Sequence, residues 1–305
     1  MVTESLFMSL LCDMKSGNTS PTRHPAIWGE PDSFRIDTVE APTIGGAVTD
    51  LLDRAPAHAV MEKVVSLRGT PDLQELPFGL VRISKDGLNW MRGVRGELEM
   101  AKRLGELDDD WTVLHSIPVG FRESDIDHLV IGPAGVFPIN SKRLVHRTVW
   151  VAGGRLLVDG SRRDYLRNSA HEAARVEGVL RAAGIVAPII PVIAVSGAKK
   201  VTVRATPIWN ERKIGVASVR AVVGRIRRRP TQLSADQIGR IVTLLRDSQS
   251  WTSRNFERED AREVRAAYER IDRGIDRWNA LVGVLAFFAG CAVLAVSVWL
   301  WVILH

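Results

Sequence analysis

The stretch DIDHLVIGPAGVFPINSK, Asp125 to Lys142, decides the fold. Two apolar runs, Ile126 to Ile131 (IDHLVI) and Gly135 to Asn140 (GVFPIN), flank the turn sequence Gly132-Pro133-Ala134-Gly135. Short apolar runs on either side of such a turn specify a pair of antiparallel strands. With the turn centred on Pro133-Ala134, Asp127 faces Asn140 and Asp125 faces Lys142. Asn140 and Lys142 are two residues apart and share one face of their strand. Asp127 joins that face, because directly opposed residues point the same way. A loop of odd length would shift the register by one and break the alignment. Polar groups at the end of otherwise apolar strands are costly unless paired or ligated. Asp127, Asn140 and Lys142 are therefore the first candidate site residues.

Working outward, Met91, Val94, Leu98, Ala101 and Leu104 recur at steps of three and four and predict a helix over 88–107. Gly93 and Gly96 weaken it intrinsically and allow close approach to its backbone. Thr112 to Ile117 (TVLHSI) is a further strand. Both faces of these runs are apolar, as in central strands covered by helices. Downstream, Val149 to Val158 predicts a hairpin around Gly153-Gly154, and Asn168 to Ala183 a helix. Pro188 to Ser196 (PIIPVIAVS) is a buried strand, with which Val201 to Ala205 is expected to pair. A last helix spans 235–245, opened by Ser234 as N-cap. This order predicts an α/β domain over 86–250.

The flanks differ. Residues 1–85 are rich in Pro, Ser, Thr and Gly and weakly patterned, and read as a mostly flexible extension with one short helix over 51–65. Leu6 to Cys12 lacks a basic segment before it and is too short for a secretory signal. Residues 251–279 read as a charged juxtamembrane helix. Val264, Tyr268, Ile271, Ile275 and Trp278 form a heptad-like seam on it. Two heptads are too few to specify a coiled coil, so the helix reads as solvated with an apolar edge, although a homo-oligomer could form along it. Ala280 to Leu304 carries no charge and is long enough to cross a bilayer, which takes about 20 residues. Arg262, Arg265, Arg270, Arg273 and Arg277 precede it and only His305 follows. The expectation is a single-pass cell-membrane protein with its N-terminal domain cytoplasmic.

Of the 305 residues, 46% are hydrophobic and 25% charged, enough apolar content for a real core. The net charge of +6 favours polyanionic partners, nucleic acid or an anionic membrane surface. Arg225, Arg227, Arg228 and Arg229 form the densest basic run, readable as a phosphate-binding patch or as a solvated loop. The two cysteines, Cys12 and Cys291, support neither a disulfide framework nor a thiolate metal site. No GxxxxGK[ST] loop is present, so no fused ATPase is expected.

The segment from Gly96 to Lys142 resembles the nuclease-related domain (NERD) family, of the membrane-anchored, actinobacterial type. Gly96-Glu97 and DIDHLVIGPAGVFPINSK carry the likeness, and TVWVAGGRLLVDG (148–160) and YLRNSAHEAARVEGVL (165–180) extend it. The resemblance covers about 150 residues, up to the PVIAVSG strand. It implies a PD-(D/E)XK restriction-endonuclease-like core, a mixed sheet flanked by helices, and Mg2+-dependent hydrolysis of phosphodiesters in DNA or RNA. The carry-over puts Asp127 as the hairpin's metal-binding acid, Asn140 in the place of the second acid, Lys142 as the motif's lysine and Glu97 as the acid of the first helix. Glu97, Asp127 and Asn140 are then the metal ligands. A carboxylate-held Mg2+ activates water and stabilises developing charge. Asn140 departs from the pattern: its amide oxygen can ligate a metal but brings no negative charge, so a weakened site is expected. Asp125 could stand in for the missing acid or pair with Lys142. The alternative is a non-catalytic module that binds nucleic acid or protein on the same fold. His128 reads as a core histidine, and His115, His146 and His171 have no metal-ligand spacing.

Overall fold

The computed structural model describes residues 50–119, 125–251 and 261–304. All fall in one unit spanning 46–305; the expectation for residues 1–49 lies outside the described residues.

The chain enters through a 3-10 turn at Leu51–Asp53 and the helix α1 (His58–Ser66). A short antiparallel pair follows, β1 (Leu73–Leu76) and β2 (Leu80–Ile83), joined at Pro77–Gly79. Helix α2 (Lys85–Leu104) starts where the Ser84 hydroxyl caps the Gly87 N–H at 3.0 Å. Strands β3 (Thr112–Pro118), β4 (Asp125–Gly132) and β5 (Gly135–Arg143) run antiparallel in succession. The β4–β5 register, His128 opposite Ile139 and Gly132 opposite Gly135, is the one the turn specifies. Then come β6 (Thr148–Ala152), β7 (Arg155–Val158) and β8 (Ser161–Arg162), followed by α3 (Tyr165–Ala182). The remainder is β9 (Val192–Ser196), β10 (Lys200–Val203), β11 (Ile208–Trp209), β12 (Arg212–Lys213), β13 (Gly215–Ser218), α4 (Val219–Arg227) and α5 (Ala235–Leu245). A capping box between Ser234 and Gln237 opens α5. The chain ends in one helix, α6 (Ala261–Leu304).

The central sheet has the order β13-β9-β5-β4-β3, with β5, β9 and β13 parallel and the rest antiparallel. Helices cover both faces. Met100 and Leu104 of α2 and Val219, Val222 and Ile226 of α4 pack on Val130, Phe137, Ile139 and Ala194. On the other face, Val176 and Leu180 of α3 and Ile241 and Leu245 of α5 pack on Leu129, Ile131 and Val136. A second sheet, β10-β6-β7-β8, closes on α3 and the far side of β9. The fold is a mixed α/β core followed by a long apolar helix.

Four expectations need correction. Residues 50–83 are folded, not a flexible extension. Leu51, Ala57, Met61, Val64, Leu73 and Val81 are all buried. At about 1.5–3 kcal/mol for each large buried side chain, this segment belongs to the core. Val201 lies on β10, which pairs in parallel with β6 and not with β9. The Arg225–Arg229 run begins inside a helix, α4, not a loop: Val222, Val223 and Ile226 bury its apolar face. The α6 seam is not solvated. Val264, Tyr268, Ile271 and Ile275 pack against Met61, Val64, Val81, Met91 and Val94 of the same chain, so this edge is occupied from within. Arg95 ties α2 to Asp272 at 2.7 Å.

Beyond Ile275 the helix leaves the domain. Its apolar part is long enough to cross a membrane, with a mean hydropathy of 2.6 and none of that window buried. A helix hydrophobic on every side, with nothing packed on it among the described residues, is suited to lipid.

Candidate active site

Asp127 and Asn140 lie just past the last paired residues of the β4–β5 ladder, where the strands open. The Ser141 N–H donates to Asp127 Oδ2 at 2.6 Å, bridging the strands at that point. Side chains alternate along β5, so Phe137 and Ile139 face α2 and α4, and Val136, Asn140 and Lys142 face α3. Asp127 shares the α3 face with Leu129 and Ile131 of its own strand. The expected grouping of Asp127, Asn140 and Lys142 is thus present.

Glu97 comes from α2 and is buried, 5% exposed. Gly96 helps bring it there: a Cβ at residue 96 would lie 3.1 Å from Arg143 Cβ and 3.4 Å from Arg143 N, so any larger residue would have to push the end of β5 back by a few tenths of an ångström. Burial and the Asp127 charge push the Glu97 carboxyl well above its ordinary range, against the pull of Lys142.

Glu172 was not anticipated. It lies on α3, and Asn140 Nδ2 donates to its Oε1 in a short hydrogen bond. Its Oε2 and the Asn140 Oδ1 are buried without a partner. Burial, reinforced by Asp127, raises Glu172 from 4.5 to about 8, opposed by Lys142 and the Asn140 bond. The spacing of Glu172 from Ser169 and Val176, three and four residues, puts the three on one face of α3, but only the burial of Ser169 and Val176 shows that this face is the covered one.

Lys142 is half-buried, its Nζ 5.6 Å from the Tyr165 ring centroid, a cation–π contact from the first residue of α3. Asp125, expected opposite Lys142, instead has its ion pair with Arg54 at 3.9 Å, supplied by the segment before α1. Burial raises Asp125 to about 6. His128 is a core histidine, its Nδ1 2.8 Å from His115 Nδ1. Burial holds His115 down at about 4 and His128 well below its ordinary value. The Arg225 guanidinium bonds Val216 O at 3.1 Å and that of Arg227 bonds Glu106 O. Arg228 and Arg229 are exposed.

The site is under-neutralised. Glu97, Asp125, Asp127 and Glu172 stand against Lys142 and Arg54, and all four carboxyls are displaced upward, chiefly by burial. Such a group must take up protons or a cation. Among the described residues no three His, Cys, Asp or Glu side chains converge as a ready-made metal site. An amide at position 140 accords with that. The donors nevertheless fit a hard divalent ion in kind: carboxylate and amide oxygens, two of them unpartnered, in an anionic pocket.

No curated protein and no solved structure matches the chain. The model of the NERD family does match, over residues 92–196, a segment that runs from α2 to the end of β9 and contains Glu97, Asp127, Asn140, Lys142 and Glu172. This chain therefore carries a nuclease-related domain.

Proposed function

We propose that the chain is a membrane-tethered, metal-dependent nuclease whose site is weakened by Asn140, and that Glu172 supplies the acid which position 140 lacks. The observation that carries this reading is the contact between Asn140 and Glu172, with both outer oxygens buried and unpartnered beside Asp127. Asp127, Asn140 and Glu172 would hold a Mg2+ ion, with Glu97 nearby. When bound, such an ion would polarise a phosphodiester and lower the pKa of an attacking water. The chain's own groups have separate tasks. Lys142, steadied over Tyr165, offsets negative charge on the phosphate. Asn140 positions the Glu172 carboxyl by donating to it. Without the ion, Glu172, displaced to about 8, holds a proton at neutral pH, and binding of the ion would release that proton and leave a carboxylate as ligand. Arg228 and Arg229 are candidates for backbone contact with DNA or RNA, with Arg225 and Arg227 partly committed to the protein.

The uncharged part of α6 would be the anchor. Arg273 and Arg277 before it support a reading with the domain on the cytoplasmic side. A second reading, a binding module without chemistry, is favoured by the amide at 140 and the lack of a three-acid set among the described residues. A cleavage assay on single- and double-stranded substrates separates the two. The full chain in detergent, with Mn2+ or Mg2+, should cleave slowly and lose that activity in Lys142→Ala. Absent cleavage, with intact nucleic-acid binding, would select the second reading, and metal-independent cleavage would overturn both.

A further inference from the structure

The turn between β1 and β2 reads Leu76-Pro77-Phe78-Gly79-Leu80. Phe78 is 94% exposed, more than any other large hydrophobic side chain among the described residues, the apolar end of α6 included. Its backbone is left-handed, with φ of 63°, a conformation that bulky residues avoid. A polar residue or glycine would serve such a turn better on both counts. Strained non-glycine positions persist where surroundings over-determine them, and they cluster where a residue has work to do.

The turn's height is set by its packing on α6. A Cβ at Gly274 would collide with Val81 and fall 2.9 Å from the Gly79 carbonyl oxygen, so the helix and the turn are in direct backbone contact there. One turn later, Arg277 Nη1 lies beside Gly79. The helix runs unbroken from this contact into its uncharged stretch, which begins at Ala280. From Gly274 to Ala280 the axial rise is about 9 Å. The headgroup layer outside each face of the hydrocarbon core is about 5–8 Å deep. The Gly274 contact lies just outside that layer when α6 crosses the bilayer, and the turn reaches toward it, because the chain runs from Val81 beside Gly274 to Gly79 beside Arg277, one helical turn nearer the span. Trp278, between the contact and the span, is placed within that layer, where aromatic rings are favoured.

We propose that Phe78 is a second membrane contact, with the β1–β2 turn dipping into the headgroup layer of the same bilayer that α6 crosses. The proposal rests on the membrane reading of α6. It commits to lipid as occupant because the exposed ring is carried by a turn that rests on α6 within two helical turns of its uncharged, unburied stretch. Its consequence is orientation. A helix docked by Val264, Tyr268, Ile271 and Ile275 sets the height of the domain, and a second point fixes its tilt above the surface.

The test uses the full chain in nanodiscs of phosphatidylcholine and phosphatidylglycerol, with Cys12→Ser and Cys291→Ala. Single nitroxide labels are placed through Phe78→Cys, Val293→Cys in the span, and Val186→Cys on an equally exposed loop after α3. Collision rates with oxygen, which concentrates in lipid, and with a water-soluble nickel chelate report depth. The expected result is a lipid-type ratio at 293, a water-type ratio at 186, and a ratio at 78 shifted several-fold toward that at 293. Labels at 78 and 186 that agree, with lipid at 293, would overturn the second contact and leave the span standing. Water-type ratios at all positions would overturn both. Protection at 78 from both reagents, with spin–spin broadening between copies, would mean that a second chain covers the ring, and would also overturn the proposal.

Discussion

Replacing Glu172 by Gln removes a carboxyl that is held protonated by its surroundings, and keeps nearly the same volume. In the wild type this group moves from 4.5 to about 8 on folding. Below pH 4.5 it is protonated in both folded and unfolded chains. Between those values the folded state holds a proton that the unfolded state has released, so stability falls as pH rises. Above about 8 the buried carboxylate is charged and the loss is complete. At about 1.4 kcal/mol per tenfold change in proton affinity, the displacement amounts to about 5 kcal/mol. In a chain of this size that corresponds to roughly 10–20 °C in melting temperature. Gln does not titrate, and its Oε1 still accepts the Asn140 amide proton. Melting the full chain in detergent from pH 5 to pH 9 should give a steep decline for wild type and a shallower one for Glu172→Gln, with the curves separating from about pH 5 and running parallel above about pH 8. Mg2+ added at pH 9 should restore wild type, because the ion replaces the lost proton, and should leave the variant nearly unchanged. Profiles parallel throughout, or equal metal response, would refute the placement of Glu172 in the anionic pocket.

The remaining predictions concern Asn140, the helix contact and topology. Asn140→Asp deletes the donor to Glu172 and adds a charge. Without metal it should lose about 1.5–3 kcal/mol in a melt, and it should bind Mn2+ tighter by at least about 1 kcal/mol in a calorimetric titration. Nuclease activity should rise with it, and addition of Lys142→Ala should abolish the gain. Gly274→Leu forces α6 away from Val81 and the Gly79 carbonyl and should cost about 1–3 kcal/mol in a denaturant melt. An unchanged midpoint would show that the β1–β2 turn does not rest on α6. A reporter fused after His305 should read as extracytoplasmic, and recovery of the full chain without detergent would contradict the anchor.

The hairpin was legible because a turn of even length between two apolar runs leaves only one register. That register brought Asp127, Asn140 and Lys142 together on the α3 face. Glu172 was harder to see. A glutamate among alanines on a helix reads as solvated until Ser169 and Val176 are known to be buried on either side of it. Residues 50–83 were missed because α1 has nine residues and β1 and β2 four each, too short for a periodic pattern. Their core is made with residues almost two hundred positions away. The seam on α6 was correctly read as apolar, but the partner that fills it, Met61, Val64 and Val81, cannot be recognised from spacing alone. The same limit applies to β10. Proximity in sequence pointed to β9, whereas the chain crosses back to extend the β6–β7 sheet in parallel.

The central claim is that Asp127 and Glu172 share a cation site at which Asn140 replaces an acid. Titration of Mn2+ into the full chain, followed by electron paramagnetic resonance of the free ion, tests it without reliance on activity. The account predicts one weak site in the wild type. Its affinity should fall at least tenfold in Asp127→Asn and in Glu172→Gln, and rise in Asn140→Asp. Absence of binding at millimolar Mn2+, or binding unchanged by all three substitutions, would contradict it.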